Sequence, residues 1–259
     1  MDELKIMIGH RRPEFALWPG HRFACFEPEH ESDFVLERDE ECESLLPDRL
    51  IGEYYFLFCL LKTLQKRPLP QRICISQYRR FVAREPIGRP SSNAPHARTL
   101  RAEEASSPQV AKLLSPKSGD WLIGSALKTQ SVMSQYARHH PVRDWLRFLA
   151  DAIDDVAIDH KLALKASEES VLIPAPSVGV FPTPTFLEHL KVLRRASLSF
   201  RNSGYVARTD YQRRSIGFCI ERLHSCLILC AARESQVPLL LLMGNQIVVS
   251  ETERLIATR

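Results

Sequence analysis

The segment Ile73-Cys74-Ile75-Ser76-Gln77-Tyr78-Arg79-Arg80-Phe81-Val82 constrains the rest of the chain more than any other. It opens as a short apolar run, which suits a strand buried on both faces, and it ends in two guanidinium groups beside an aromatic ring. Open α/β sheets build their ligand crevice at the carboxyl ends of such strands. A planar guanidinium grips phosphate or carboxylate through two parallel hydrogen bonds, so Arg79 and Arg80 beside Tyr78 suggest an anionic substrate group. The same residues also read as an ordinary strand end with solvated arginines.

At 259 residues the chain is long enough for one large α/β domain or two small ones with a substantial core. Charged residues at 25% and hydrophobic residues at 44% are ordinary for a globular protein and exclude a wholly disordered chain. A formal charge of +4 suits phosphate-bearing ligands or an anionic membrane surface. Without a dense basic helix it does not indicate nucleic acid. Seven cysteines, with no Cys-x-x-Cys pair, point to thiols used as small core residues in a reducing interior. The acidic start Met1-Asp2-Glu3 carries no signal-peptide pattern, and no uninterrupted apolar run reaches the length of a membrane span. A cytoplasmic protein is the expectation, with peripheral contact at the inner membrane surface left open.

Along the chain, Leu4 to Ile8 reads as a first strand, ended by Gly9 and a basic His10-Arg11-Arg12-Pro13 turn where a nucleotide has room to rest. His21 to Phe26 reads as a second strand, and Asp33 to Pro47 as an acidic surface loop. Tyr54, Leu57, Phe58, Leu61 and Leu64 form the stripe of a helix over 50–65, with Asp48 as its N-cap. Glu53 in its first turns is either a helix-dipole partner or a carboxylate reaching inward. Arg84 to Pro108, with four prolines and no sustained period, reads as a long mobile loop or lid over 84–108. Asp120 leads a strand through Gly124. Pro141 splits the helical stretch from Ser131 to Ile153, leaving His139 and His140 at the junction near Asp144. That cluster fits no standard zinc spacing, and a phosphate contact, a proton-transfer role and plain structural histidines all stay open. Short strands are expected at Val171–Ile173 and Ser177–Phe181, then a helix from about Phe186 to Phe200. Asp210 is the expected cap of a long helix from Tyr211 to Ala232, in which Glu221 interrupts the apolar stripe. A carboxylate there must be paired or face a polar cavity. Short strands at Pro238–Met243 and Gln246–Val249 close the pattern.

Several of these stretches together resemble a bacterial family of glycosyltransferase-like proteins, catalogued as a domain of unknown function and associated with capsule and exopolysaccharide synthesis. His10-Arg11-Arg12 is similar to the family's His-Lys after its first strand, and Glu53 stands where its Glu-Leu-Thr helix begins. Gln77-Tyr78-Arg79-Arg80-Phe81 resembles its His-Tyr-Arg-Arg-Tyr signature, with Gln77 in place of histidine. Asp120-Trp121-Leu122-Ile123 resembles its Asp-Ile-Ile segment, and Tyr136, His139, His140 and Asp144 its Tyr, His-His and Asp-Leu pattern. Tyr211-Gln212-Arg213-Arg214-Ser215-Ile216-Gly217-Phe218-Cys219-Ile220-Glu221-Arg222-Leu223 resembles its Tyr-Gln-x-Arg-x-x-Gly-Phe-x-x-Glu-Arg-Leu helix. Ser177-Val178-Gly179 departs from its Asn-Met.

The resemblance implies a GT-A-like nucleotide-diphospho-sugar transferase fold of the α/β class, a single mixed sheet flanked by helices, formed by 1–259 as one domain. It implies transfer of a sugar from a nucleotide-sugar donor to a glycan or other hydroxyl acceptor. Such a reaction needs fixed positive charge at the leaving diphosphate and a carboxylate for the acceptor proton. Asp120, Asp144 and Glu221 are the candidate carboxylates. His10, Glu53, Tyr78, Arg79, Arg80, His139, His140 and Arg213 are the candidate donor-binding residues. No Asp-x-Asp triad is present, so a divalent metal is left open. The alternatives are a non-catalytic nucleotide- or glycan-binding protein and a protein-interaction module of the same fold.

Overall fold

A computed structural model describes residues 2–45, 50–92, 94, 96–116, 119–206 and 208–250. The strands are β1 (Glu3–Ile8), β2 (His21–Cys25), β3 (Phe34–Val35), β4 (Arg72–Gln77), β5 (Arg80–Ala83), β6 (Arg89–Pro90), β7 (Ala97–Arg101), β8 (Leu122–Ile123), β9 (Leu127–Lys128), β10 (Val171–Leu172), β11 (Gly179–Pro182) and β12 (Asn245–Ser250). The helices are α1 (Tyr54–Leu64), α2 (Ala102–Ala105), α3 (Pro108–Leu113), α4 (Val132–His139), α5 (Val142–Asp154), α6 (His160–Glu168), α7 (Thr183–Asn202), α8 (Ser215–Glu234) and α9 (Leu239–Leu242).

Among the described residues ten strands form one mixed sheet in the order β3-β2-β1-β4-β5-β12-β7-β6, with β11 and β8 branching from β4. β1, β2, β3 and β4 are parallel neighbours, whereas β11 is antiparallel to both β4 and β8. β9 and β10 make a separate antiparallel ribbon. The α/β architecture expected from the sequence, a mixed sheet flanked by helices, is the architecture observed.

The alternation of side chains along β1 explains the layering. Leu4, Ile6 and Ile8 join Ile73 and Ile75 of β4 in a core beneath α1, α5, α7 and α8. Met7 points to the opposite face, where Phe15, Trp18, Phe23, Phe81, Ile247 and Val249 meet α2 and α3. The central run Ile73–Gln77 is buried throughout, as a strand covered on both faces must be.

The segment 84–108 corrects the expectation of a lid. β7 pairs in parallel with β12 from Gln246↔Ala97 to Ser250↔Arg101, β6 pairs with β7, and the strand runs straight into α2. Pro90 lies on the edge strand β6, where a missing N–H costs no ladder bond, and Pro108 opens α3. Other boundaries also move. α1 begins at Tyr54 after a turn through Gly52, with Glu53 at its N-cap position, and the expected cap Asp48 lies outside the described residues. Asp210 is no cap: it sits at φ 52° as the first residue of a 3₁₀ turn, Asp210–Arg214, which leads into α8. Leu239–Leu242 is a helical turn, not a strand. The Pro141 break is as expected, with α4 ending at His139 and α5 starting at Val142.

The stretch Asp210–Glu234 is long and apolar enough to cross a membrane, but 83% of its most apolar window is buried inside this molecule. The seven cysteines are free thiols, five of them buried.

Candidate active site

The Arg pair lies on a hairpin, not on a frayed strand end. Gln77 pairs with Arg80, so Tyr78 and Arg79 form a two-residue turn between β4 and β5 at the carboxyl end of the sheet's central strand. β1 ends at the same level, since Ile8 is in register with Gln77, and the Tyr78 amide donates to the Ile8 carbonyl at 2.9 Å. Gly9 is what permits this approach, because a Cβ there would lie 2.8 Å from the Tyr78 Cβ. The guanidinium carbons of Arg79 and Arg11 lie 5.0 and 5.8 Å from the centre of the Tyr78 ring. Those distances are within range of cation–π attraction.

A cleft of about 770 Å³ opens over this hairpin. Its floor is Gln77 to Arg80 together with the carboxyl end of β12, Val248 to Ser250. One wall is the first turns of α1 and α8, and another is the Ala175–Ser177 loop that enters β11. This is the crevice outside the carboxyl ends of the strands where open α/β sheets hold ligands.

Positive charge predominates. Arg79 and Arg80 have no carboxylate partner among the described residues, while Arg214 faces Glu53 at 3.9 Å and Arg222 faces Glu221 at 3.5 Å. Arg222 is held in place: its Nη1 donates to the Phe218 carbonyl and its Nη2 to Gln135 Oε1, each at 3.1 Å. His140 stacks on Phe218 with ring centres 4.0 Å apart, and burial pushes its pKa down to about 4. It is therefore neutral near pH 7. Gln212 fixes its tautomer, because Nε2 of that amide donates to the His139 carbonyl and leaves Oε1 to accept from His140 Nδ1 at 3.1 Å.

The structure gathers six of the sequence-derived candidates in the cleft: Glu53, Tyr78, Arg79, Arg80, His140 and Glu221. The others lie outside its lining. Asp144 is buried in the first turn of α5, where Arg208 binds it with both arms, at 2.6 and 2.7 Å. It fastens the segment after α7 and is not free to accept a substrate proton. Asp120 is exposed in the turn before β8. Ile123 is in register with Gly179 and Gly179 with Ile75, so Asp120 lies at the opposite end of the sheet from Gln77. His10 is exposed beyond β1, edge-on to Phe56 at 5.6 Å, and His139 is exposed at the end of α4. Arg213 is exposed in the 3₁₀ turn and does not line the cleft, whereas its neighbour Arg214 does.

Arg214, Phe218, Arg222, Tyr211 and Ser177 line the cleft without having been singled out. A signal for two of them was available: Arg214 and Phe218 stand at i and i+4, with the candidate Glu221 at i+7, the spacing of one helix face. A divalent metal finds little to hold it here. Both cleft carboxylates already face a guanidinium, and no group of three or more His, Cys, Asp or Glu side chains converges among the described residues.

The chain matches no protein-family model and no curated protein. Among solved structures it is similar to an apo structure of WbbM, a bifunctional glycosyltransferase, with a TM-score of 0.67 at 12% sequence identity. The likeness covers 96% of this chain and 46% of that one, so the chain spans less than half of WbbM's length. At this identity the likeness establishes a shared fold: the chain is built on the α/β scaffold of a known glycosyltransferase.

Proposed function

We propose that the protein is a glycosyltransferase that moves a sugar from a nucleotide-sugar donor to a hydroxyl acceptor. One observation carries the reading: two arginines without a carboxylate partner face a large cleft at the carboxyl ends of the central strands. Uncompensated guanidinium groups in a partly enclosed site call for an anion, and the diphosphate of a nucleotide sugar is one of matching size and charge. The fold shared with a glycosyltransferase supports the same conclusion.

In this reading the acceptor oxygen attacks the anomeric carbon while the bond from that carbon to the diphosphate oxygen breaks. Negative charge grows on the leaving diphosphate, and Arg79, Arg80 and Arg214 are the groups fixed nearby to stabilise it. His140 contributes no charge near neutral pH; it presents an oriented neutral ring beside Phe218. Glu221 receives the acceptor proton, and Arg222 positions its carboxylate. No step is assigned to a metal, since the cleft carboxylates are engaged by arginines. Gln77, which replaces the histidine of the resembled signature, lines the floor as an amide and does not take part in proton transfer.

The test is release of nucleoside diphosphate from UDP-, GDP- and dTDP-sugars in the presence of mixed glycan acceptors, with and without magnesium or manganese. Turnover that falls about 10² to 10⁴-fold in Glu221→Gln while donor affinity is kept is the expected result. Donor binding without turnover under any of these conditions would instead favour a non-catalytic nucleotide-sugar-binding protein.

A further inference from the structure

A second cavity, of about 220 Å³, lies beside the main cleft, and Arg80, Ala175, Glu221 and Arg222 border both. Beyond that shared wall its polar lining is His96, Gln135 and Gln246, and the β9–β10 ribbon closes it with Leu127 and Leu172. The volume equals about seven waters at ~30 Å³ each, which is room for a single hexose ring.

Two residues that line this pocket each carry a buried donor without a partner. Gln246, on β12, is 2% exposed, and its Nε2 has no hydrogen-bond partner. Arg222 is 7% exposed; both of its Nη atoms are engaged, yet its Nε has no partner either. Buried donors in a folded protein are nearly always paired, so two unpartnered donors on residues that line one cavity point to an acceptor that binds there. Arg80 adds a guanidinium with no carboxylate partner among the described residues. Against Arg80 and Arg222 the pocket sets the single carboxylate of Glu221, and the missing acceptor is accordingly an anion. Because Glu221 borders both cavities, a hydroxyl on a ring held here meets the carboxylate that faces the main cleft.

We propose that this side pocket is the acceptor subsite and takes an acidic sugar, a hexuronate whose carboxylate is received by Gln246, Arg222 and Arg80. The role as acceptor rests on the transferase reading; the binding does not.

The test is calorimetric and ligand-observed NMR titration of the full chain with glucuronate, galacturonate, their neutral methyl esters, glucose, galactose and inorganic phosphate. Each is added with and without a nucleoside diphosphate. At least one free uronate binds, and its ester and the neutral hexose bind about ten- to a hundredfold more weakly, since each lacks a charge-assisted hydrogen bond. Gln246→Glu loses the uronate and keeps nucleoside diphosphate binding, because Gln246 does not line the main cleft. If that variant does not fold, Gln246→Leu removes the same donor and is expected to show the same loss. Equal affinity for ester and acid, equal affinity for phosphate, or no uronate binding by folded protein overturns the proposal. Nucleoside diphosphate binding without uronate binding refutes this inference alone, and uronate binding without nucleoside diphosphate binding refutes the transferase reading alone.

Discussion

Glu221 and Arg222 occupy one turn of α8 and do different work there. The carboxylate looks into two cavities, and the guanidinium beside it is fixed by the Phe218 carbonyl and Gln135. Asp144, a buried carboxylate also considered for catalysis, is committed to Arg208. The two residues should therefore fail differently. Asp144→Asn is expected to lower stability by about 1 kcal/mol, the pair's charge-assisted bonds being discounted for Arg208's exposure, and hence Tm by about 2–4 °C. Its donor affinity should stay unchanged, as thermal unfolding and titration of the same sample would show. Loss of turnover without loss of Tm would return Asp144 to the catalytic set. The sequence marks Glu221 as needing a partner and offers Asp144 as a candidate base, but it does not say which of the two a protein side chain holds and which faces substrate. Arg208 is 64 residues away from Asp144, so local spacing carries no trace of that pair. His140 is similar: its place at the Pro141 break is legible, whereas its neutral state follows from burial against Phe218, a contact 78 positions away in numbering.

At the scale of elements, the hairpin between β4 and β5 does what the opening stretch suggests, bringing Tyr78, Arg79 and Arg80 to the carboxyl end of the sheet. Strands with a buried run and helices with a broad stripe, such as β1, β4, α1 and α8, are legible because burial leaves its period in the residues. The 84–108 segment is not, since a two-residue edge strand and a five-residue strand partnered by β12, nearly 150 residues later, have too few positions to show a period. The candidate Arg213 and its neighbour Arg214 both stand in the 3₁₀ turn Asp210–Arg214 ahead of α8, and of the two it is Arg214 that lines the cleft. β11 depends on one residue. Gly179 has φ 151°, and a Cβ there would lie 2.2 Å from the Leu122 carbonyl oxygen, so Gly179→Ala must push β8 away from β11. A cost of about 1–3 kcal/mol from backbone strain alone is expected, read as a Tm lower by roughly 2–10 °C. An unchanged Tm would contradict the pairing of β8 with β11.

For the whole molecule, the buried histidines set a pH limit. Burial holds His21, His140 and His189 at about 4 and His224 well below its ordinary value. In the unfolded chain all four titrate near 6.5. Their folded pKa values are depressed, so the unfolded state binds more protons once pH falls below about 6.5. Stability is then fully present above that pH and is lost progressively toward pH 4, by up to about 1.4 kcal/mol per pH unit for each histidine. Chemical denaturation at pH 7.5, 6 and 5 checks the slope, and a flat profile across that range would contradict burial of these rings as neutral groups. In the transferase reading the arginine-floored cleft on this sheet holds a diphosphate. Calorimetric titration of the folded chain with UDP, GDP and dTDP, repeated on Arg79→Ala and Arg80→Ala, tests it most directly. At least one nucleoside diphosphate is expected to bind, and to bind about 10- to 150-fold more weakly in each variant. No binding by folded wild-type protein, or binding that both variants retain in full, would contradict it.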